Sequence, residues 1–381
     1  MLLKNKTIAI VGGGPGGLTL AKLLQLKGAN VKVYERDFNS DVRVQGATLD
    51  LHEESGLEAL RQAGLIDEFY ANHRPEARKL RIMDKHAAIR LDLHEAADHE
   101  ENRPEIDRGP LRTILLNSLS PETVVWDSQF VSMVPYKDGW QLNFKNGTSA
   151  TADLVIAADG AKSKIRPYLS STQPIYSGVT AMEGNIYHAQ KHAPQLNELL
   201  KGGKIFAFGD EQSLILSAKG DGTLSFYTGC KVDENWATTS GIDFTNKAQV
   251  FNWFKTAFGT WDPVYRELFE FEELVCIPRP QYYYPLDQKW ETLPNLTMIG
   301  DAAHLMPPYA GEGVNMAMQD ALELSQQLTS DAFPDLQTAI AAFEKQMLVR
   351  ASAVTQDTLD STAMLHSKDA TNRMINMFEA H

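Results

Sequence analysis

Cysteine is nearly absent from this chain: Cys230 and Cys276 are the only two among 381 residues, and neither sits in a ligand-like cluster. That excludes a disulfide framework and the usual zinc spacings, and suits two thiols buried in a reducing compartment. Positive charge is also scarce. Against 49 Asp+Glu stand 36 Lys+Arg, a net charge of −13. A phosphate backbone rewards the opposite balance, so nucleic acid is not an expected partner. The first apolar run, Thr7 to Val11, is far below the roughly 20 residues that cross a bilayer and meets glycines rather than a cleavage site. A cytoplasmic protein without a membrane partner is expected. No metal-ligand spacing and no nucleophile beside a base stands out, and past Pro334 there is neither glycine nor proline.

What is present is glycine at meaningful spacing. KTIAIVGGGPGGLTLAKLLQLKGANVKVYERD reads as a short apolar strand from Ile8 to Val11, a glycine turn, a helix rich in leucine, and a second strand, Val31 to Tyr34, ending at Glu35. Gly12 permits the tight turn, Gly14 lets a diphosphate approach the backbone, and Gly17 lets helix and strand pack closely. The helix amino terminus offers N–H groups and the positive end of its dipole to phosphate. Glu35 is placed to accept hydrogen bonds from ribose hydroxyls. The motif does not choose between FAD and NAD(P).

Two later segments return to the same texture. DLVIAADGAKSKIR opens with an apolar strand, Leu154 to Ala158, and runs into Asp159-Gly160; LTMIGDAAH is another buried-type strand ending at Gly300-Asp301. Between them, IFAFGDEQSLILSAKGDGTLSFYTGC alternates apolar and polar residues around Gly220-Asp221-Gly222, the pattern of antiparallel strands with one covered face. The expected fold is therefore α/β: a Rossmann-type nucleotide-binding domain with an inserted mixed β-sheet domain and a long C-terminal helix. The nucleotide-binding domain spans 1–71, 98–171 and 281–330, the substrate domain spans 72–97 and 172–280, and 331–381 forms one or two helices.

In their order, the Gly12-x-Gly14-x-x-Gly17 motif with Glu35, the Asp159-Gly160 segment and Gly300-Asp301 resemble the group A flavin-dependent monooxygenases, the family of para-hydroxybenzoate hydroxylase. Within it the chain is most similar to the tetracycline-inactivating monooxygenases, through TLDLH (48–52), LRTILLNSL (111–119) and GDAAHLMPP (300–308). The resemblance implies that Glu35 holds the adenosine ribose of FAD and Asp301 the ribityl chain or adjoining ribose. It implies that the loop from Pro308 brings the amides of Gly311 and Gly313 to the flavin ring, with Asn315 as a further polar contact. Arg108 matches an arginine that contacts FAD, with Arg112 the second choice beside it. Arg36 and Arg43 match basic residues near the flavin or the incoming nicotinamide, and Asp50 an acid beside the ring system. For Arg36 and Arg43 a solvated charge after a strand is the competing reading. His304 reads as a structural histidine under the glycine loop rather than a base.

A monomer is expected, and the resemblance further implies that NADPH binds transiently and reduces FAD. O₂ then adds to give a C4a-hydroperoxide, and one oxygen passes to an electron-rich aromatic, enolic or polycyclic small molecule. No protein residue is required as a catalytic nucleophile, and no metal is expected. The tetracycline-inactivating relatives contact their drug through Gln, Arg and His, and the matching positions here are Glu183, Lys204 and Ser225. Lysine lacks the planar fork of arginine and serine the reach of imidazole, and Glu183 adds a carboxylate. The competing reading of all three is exposed strand positions without a role. Two other activities frame the choice. Flavin-dependent halogenation is disfavoured because no WxW motif occurs among the six tryptophans, and a flavin-fold binding protein without turnover is disfavoured by the intact glycines and acids.

Overall fold

A computed structural model of the protein describes residues 2–41, 48–94 and 103–379. Strand β1 (Thr7–Val11) buries Ile8 to Val11 and leads through the glycine turn into helix α1 (Pro15–Leu26). The helix starts where the sequence says it should, with Pro15 at its first position and Gly14 as its cap. Strand β2 (Asn30–Tyr34) returns parallel to β1, pairing Ile8 with Val31 and Ile10 with Val33. Next come a short strand β3 (Leu49–Asp50), strands β4 (Leu80–Asp84) and β5 (Ile89–Asp92), and helix α2 (Arg108–Asn117).

Strand β6 (Leu154–Ala157) then pairs with the other edge of β1, and much later β12 (Leu296–Met298) pairs with β6. The parallel sheet thus runs β12-β6-β1-β2, closed by the Val124–Val125 strand beside β2. Its order reverses at β1, and the carboxyl ends of β1 and β6 meet there, which is where nucleotides bind in open α/β sheets. Three glycine contacts make the meeting possible. A Cβ on Gly12, whose φ is +114°, would fall on the Ala158 carbonyl oxygen; one on Gly17 would fall on the Gly12 carbonyl; one on Gly16 would lie 2.8 Å from the Ala317 oxygen.

Strands β7 (Ile175–Ile186), β8 (Lys204–Gly209), β9 (Gln212–Ala218), β10 (Leu224–Lys231) and β11 (Cys276–Tyr283) build a second sheet in the order β11-β7-β10-β9-β8-β4-β5. Its β8–β4 pairing is parallel, so β4 and β5, far apart in sequence from the rest, extend the alternating segment. The turn between β9 and β10 lies at Gly220–Gly222 as its glycines suggest. The β8–β9 turn instead uses Asp210 and Glu211, both at positive φ, a hairpin with no glycine to announce it. One face of this sheet is a dry core in which Ile205, Leu214, Leu216 and Phe226 pack against Leu196, Phe254 and Phe269. The alternate residues face the opposite way, toward the nucleotide-binding half.

After β12 the chain makes one helical turn, α3 (Asp301–His304), then helices α4 (Gly313–Thr329), α5 (Leu336–Leu365) and α6 (Ala370–Glu379). The C-terminal stretch is therefore two helices. Asp335 caps α5 by accepting the Thr338 amide at 2.8 Å. No helix is long and apolar enough to cross a membrane among the described residues. Replacing Gly12 by Ala should cost about 1–3 kcal/mol, because an L side chain meets both a forbidden φ and a backbone oxygen; urea unfolding measures the loss, and an unchanged midpoint would contradict it.

Candidate functional site

The glycine turn is built as an anion cradle. No side chain caps the start of α1, and the space where a Gly14 Cβ would stand holds nothing within 4 Å. Free amides at a twelve-residue helix terminus beside bare backbone suit a diphosphate. Glu35, buried at the end of β2, accepts the Gly13 amide at 2.6 Å and the Asp37 amide at 2.9 Å. Its carboxylate therefore fixes the turn while keeping further lone pairs for hydroxyl donors. These residues fit the nucleotide end of FAD.

The returning motif reaches this cradle through a buried charge network. Asp320, fully buried on α4, accepts the Gly300 amide at 2.8 Å and bonds His304 Nε2 at 2.6 Å; Arg350 of α5 reaches its other oxygen at 2.6 Å. Burial opposes charge on His304, but the Asp320 carboxylate outweighs it and holds the imidazole pKa above its usual 6.5. Burial would likewise raise Asp320, but His304 and Arg350 hold it below 3.8. His304 is thus structural. Beneath the same turn, Arg166 donates to the Ala302 and Ala303 carbonyls at 3.0 and 2.9 Å and lies 3.4 Å from the Tyr284 ring centroid. Asp301 leads α3, its pKa raised by burial, and its Oδ1 lies 4.0 Å from where a Gly313 Cβ would stand. Neither Asp320 nor Arg166 was foreseen as a site support. The available signal was an acid on the otherwise apolar stripe of α4, between Met316, Ala321 and Leu324.

The loop before α4 closes on β3. Gly311, at φ +75°, brings its backbone to Asp50, whose Oδ1 would lie 3.2 Å from an added Cβ. Burial opposes charge on Asp50, but His52 at 3.2 Å and the field of Lys204 keep its pKa low. Asn315 has a structural part in this closure. It is fully buried, accepting the His52 amide at 2.9 Å and donating to the Asp50 carbonyl at 2.9 Å. Its amide thus pins the loop to β3. Pro308 is exposed at the loop's start and Arg36 is exposed after β2, while Arg108 is exposed at the first position of α2. Arg112, by contrast, is buried against Asp37 at 3.0 Å and the Ser40 carbonyl at 3.0 Å, a tether. Arg43 lies outside the described residues.

Across from this loop, the second sheet presents three ranks of side chains. Cross-strand register aligns Lys204, Ser217, Ser225 and Asn185 in one rank, Phe206, Ile215, Tyr227 and Glu183 in the next, and Phe208, Ser213, Gly229 and Ala181 in the third. The first rank touches the nucleotide-binding half directly. Lys204 pairs with Glu105, which takes the Thr48 hydroxyl at 2.8 Å, and Thr48 Oγ1 lies 3.2 Å from Ser217 Oγ. The third rank meets the loop before α4 through His366, whose ring stacks edge-on against Tyr309 at 5.0 Å and bonds Ser213 at 3.1 Å. Glu183, Lys204 and Ser225 therefore share one face, and they are not exposed positions: Glu183 and Ser225 are buried. Glu183 binds Arg279 at 2.8 Å and accepts the Tyr227 hydroxyl at 3.3 Å, and Ser225 donates to Asn185 Oδ1 at 2.7 Å. The added carboxylate is thereby neutralised. No cluster suited to a metal ion occurs among the described residues.

Comparison with known proteins agrees with this construction. The family profile described as FAD binding domain matches residues 5–332. Monooxygenase asqM of Emericella nidulans is 30% identical, covering 96% of this chain and 96% of its own. Monooxygenase penA of Penicillium thymicola is 27% identical, covering 98% of each. The 6-hydroxynicotinate 3-monooxygenase of Pseudomonas fluorescens is 26% identical over 96% of this chain and 94% of the relative. Among solved structures, tetracycline destructase Tet(51) superposes with a TM-score of 0.74 over 98% of this chain and 95% of its own. At 16% identity that is a likeness of fold alone.

The Asp320 network predicts a pH signature. Asp320 contributes fully above its unfolded value near 3.8, and that contribution fades as pH falls through the depressed folded pKa; His304 contributes fully below 6.5, fading as pH rises through the raised one. Asp320→Asn should cost about 3–5 kcal/mol at pH 5–6, since it strands His304 and Arg350, and should flatten both flanks of the stability–pH curve. Urea unfolding across pH tests this; a variant as stable as the parent at pH 5.5 would contradict it.

Proposed function

This chain belongs to the FAD binding domain family and is an FAD-dependent monooxygenase; on that premise we propose that it oxygenates a flat, electron-rich aromatic or enolic small molecule held against the second sheet. Supporting this is the middle rank of Phe206, Ile215 and Tyr227, an apolar and aromatic strip bordered by a polar rank. Such a strip takes a ring face by stacking and dispersion, while the neighbouring hydroxyl and amide groups fix its polar edge. We further propose that the parallel sheet and its helices serve the cofactor, and that β4, β5 and β7 to β11 serve the substrate.

Bound FAD, reduced by NAD(P)H, supplies electron transfer and oxygen activation. The chain's task is to bind, orient and shield. The α1 terminus and Glu35 take the nucleotide end, and Asp301 with the Gly311 and Gly313 amides takes the ring end. Asn315 and His52 hold that loop to β3. The sheet face positions the substrate carbon, and the Lys204–Glu105 contact closes one wall against water. Arg36 and Arg108, both exposed, are accessible to an incoming nicotinamide cofactor, and we assign NADPH as the reductant.

Tetracycline is a second reading, favoured by the shared TLDLH, LRTILLNSL and GDAAHLMPP runs. It meets a face in which Glu183 and Lys204 already hold partners, so a drug would bind by shape more than by those side chains. Stopped-flow reduction and reoxidation of the flavin against aromatic and polyketide candidates discriminates the two. The expected result is faster NADPH oxidation with an aromatic ligand and a product heavier by one oxygen; release of peroxide alone with every candidate would overturn the proposal. Drug-dependent NADPH oxidation with the same mass gain would establish tetracycline as a substrate. Phe206→Ala should raise KM for the true substrate by roughly three- to tenfold, the size of one lost aromatic contact, with little change in FAD affinity.

A further inference from the structure

The face that carries the three ranks continues one step beyond the first of them, to Lys219. By strand alternation it follows Ser213, Ile215 and Ser217 on the same side of β9's extension. Its ammonium donates to Asn185 Oδ1 at 3.1 Å, the same oxygen that accepts Ser225 Oγ. An ammonium has three donors, and this partner is a neutral amide. The other cations facing this side are already matched, Lys204 by Glu105 and Arg279 by Glu183. Among the described residues Lys219 makes no carboxylate ion pair.

The acids around Lys219 are committed elsewhere. Asp107 receives Arg74 Nη1 at 3.2 Å and the Gly220 amide at 3.0 Å, Asp221 receives the Thr223 amide at 2.9 Å, and Glu183 is held by Arg279 and Tyr227. Arg108 adds a second positive charge nearby. Burial lowers the Lys219 pKa, against the opposing fields of Asp221, Asp107 and Glu183. Leaving such a group without an anion is costly unless an anion arrives.

We propose that Lys219 is the substrate-anchoring cation of this enzyme, taking an anionic oxygen of the aromatic substrate, with Asn185 and Ser225 completing the polar cradle. This rests on the aromatic monooxygenase reading and narrows it. The ring lies along Phe206, Ile215 and Tyr227, and its charged edge points toward the β9–β10 turn. A carboxylate and an ionised phenol or enol share the chemistry, and ligand pairs separate them.

The test is ligand binding to the FAD-loaded protein, read by perturbation of the flavin absorbance. One pair is 6-hydroxynicotinate and 6-hydroxynicotinamide; the other is 4-nitrophenol at pH 8 and 4-nitroanisole. At least one anionic member should bind roughly tenfold or more tightly than its neutral partner, the scale of one charge-assisted hydrogen bond. Lys219→Gln should erase that preference by weakening the anion alone, while Lys219→Arg should retain most of it. Equal binding within both pairs, or equal weakening of both members in Lys219→Gln, overturns the anchor and leaves the aromatic reading intact. Weaker FAD binding in Lys219→Gln, read by flavin fluorescence, assigns the lysine to the cofactor and also overturns it. No perturbation by any member of either pair overturns both readings.

Discussion

The site hangs on one buried carboxylate. Asp320 joins the Gly300 turn, the α3 histidine and the long α5 helix in a single set of hydrogen bonds. Each partner would be costly to bury alone, and Asp320 satisfies all of them at once. Because Gly300 immediately precedes Asp301, the carboxylate also fixes where the returning acid stands relative to the glycine turn. Glu344 of α5 has a similar role at strand β12, just before that turn, accepting the Thr297 and Thr292 hydroxyls at 2.8 and 2.6 Å. The C-terminal helices are thus the brace behind the Gly300 turn and more than a cap on the fold.

Rigidity behind the loop allows bareness in front of it. Gly311 and Gly313 carry little bulk toward Asp50 and Asp301, and Asn315 holds their backbone from below. The opposite wall is a sheet whose two faces divide the labour. One side is a dry core of Leu, Ile and Phe, and the other is a graded surface running from Lys204 and the serines through the aromatics to Ser213 and His366. Contacts between the two walls include Glu105 and Thr48, Arg74 and Asp107 at the β9–β10 turn, and Tyr309 with His366. The space between them is therefore shaped by residues from distant regions of the chain.

Much of this was legible beforehand because it depends on local geometry. A strand, a glycine turn, a helix and an acid at Glu35 can be read in order, since each step needs particular residues within a few positions. Gly12 and Gly17 are required by contacts that the turn itself creates. Gly16 could not be read so, because its reason is Ala317, some three hundred residues away. The backbone partners of Asn315 were hidden for a related cause, because His52 and Asp50 lie far from it in sequence. Glu183 read only as an added carboxylate, and β11 brings Arg279 to it.

By itself, then, the sequence determined the fold class, the glycine turn with Glu35 and the returning Gly300-Asp301 strand, because hydrophobic period, turn chemistry and glycine spacing act over short distances. Tertiary structure decided which charges are spent and which remain. Glu183, Lys204 and Arg112 find partners, Asp320 becomes a keystone, and Lys219 is left facing a neutral amide. Pairing of buried charge depends on which strands and helices are brought within a few ångströms, and no local pattern encodes that.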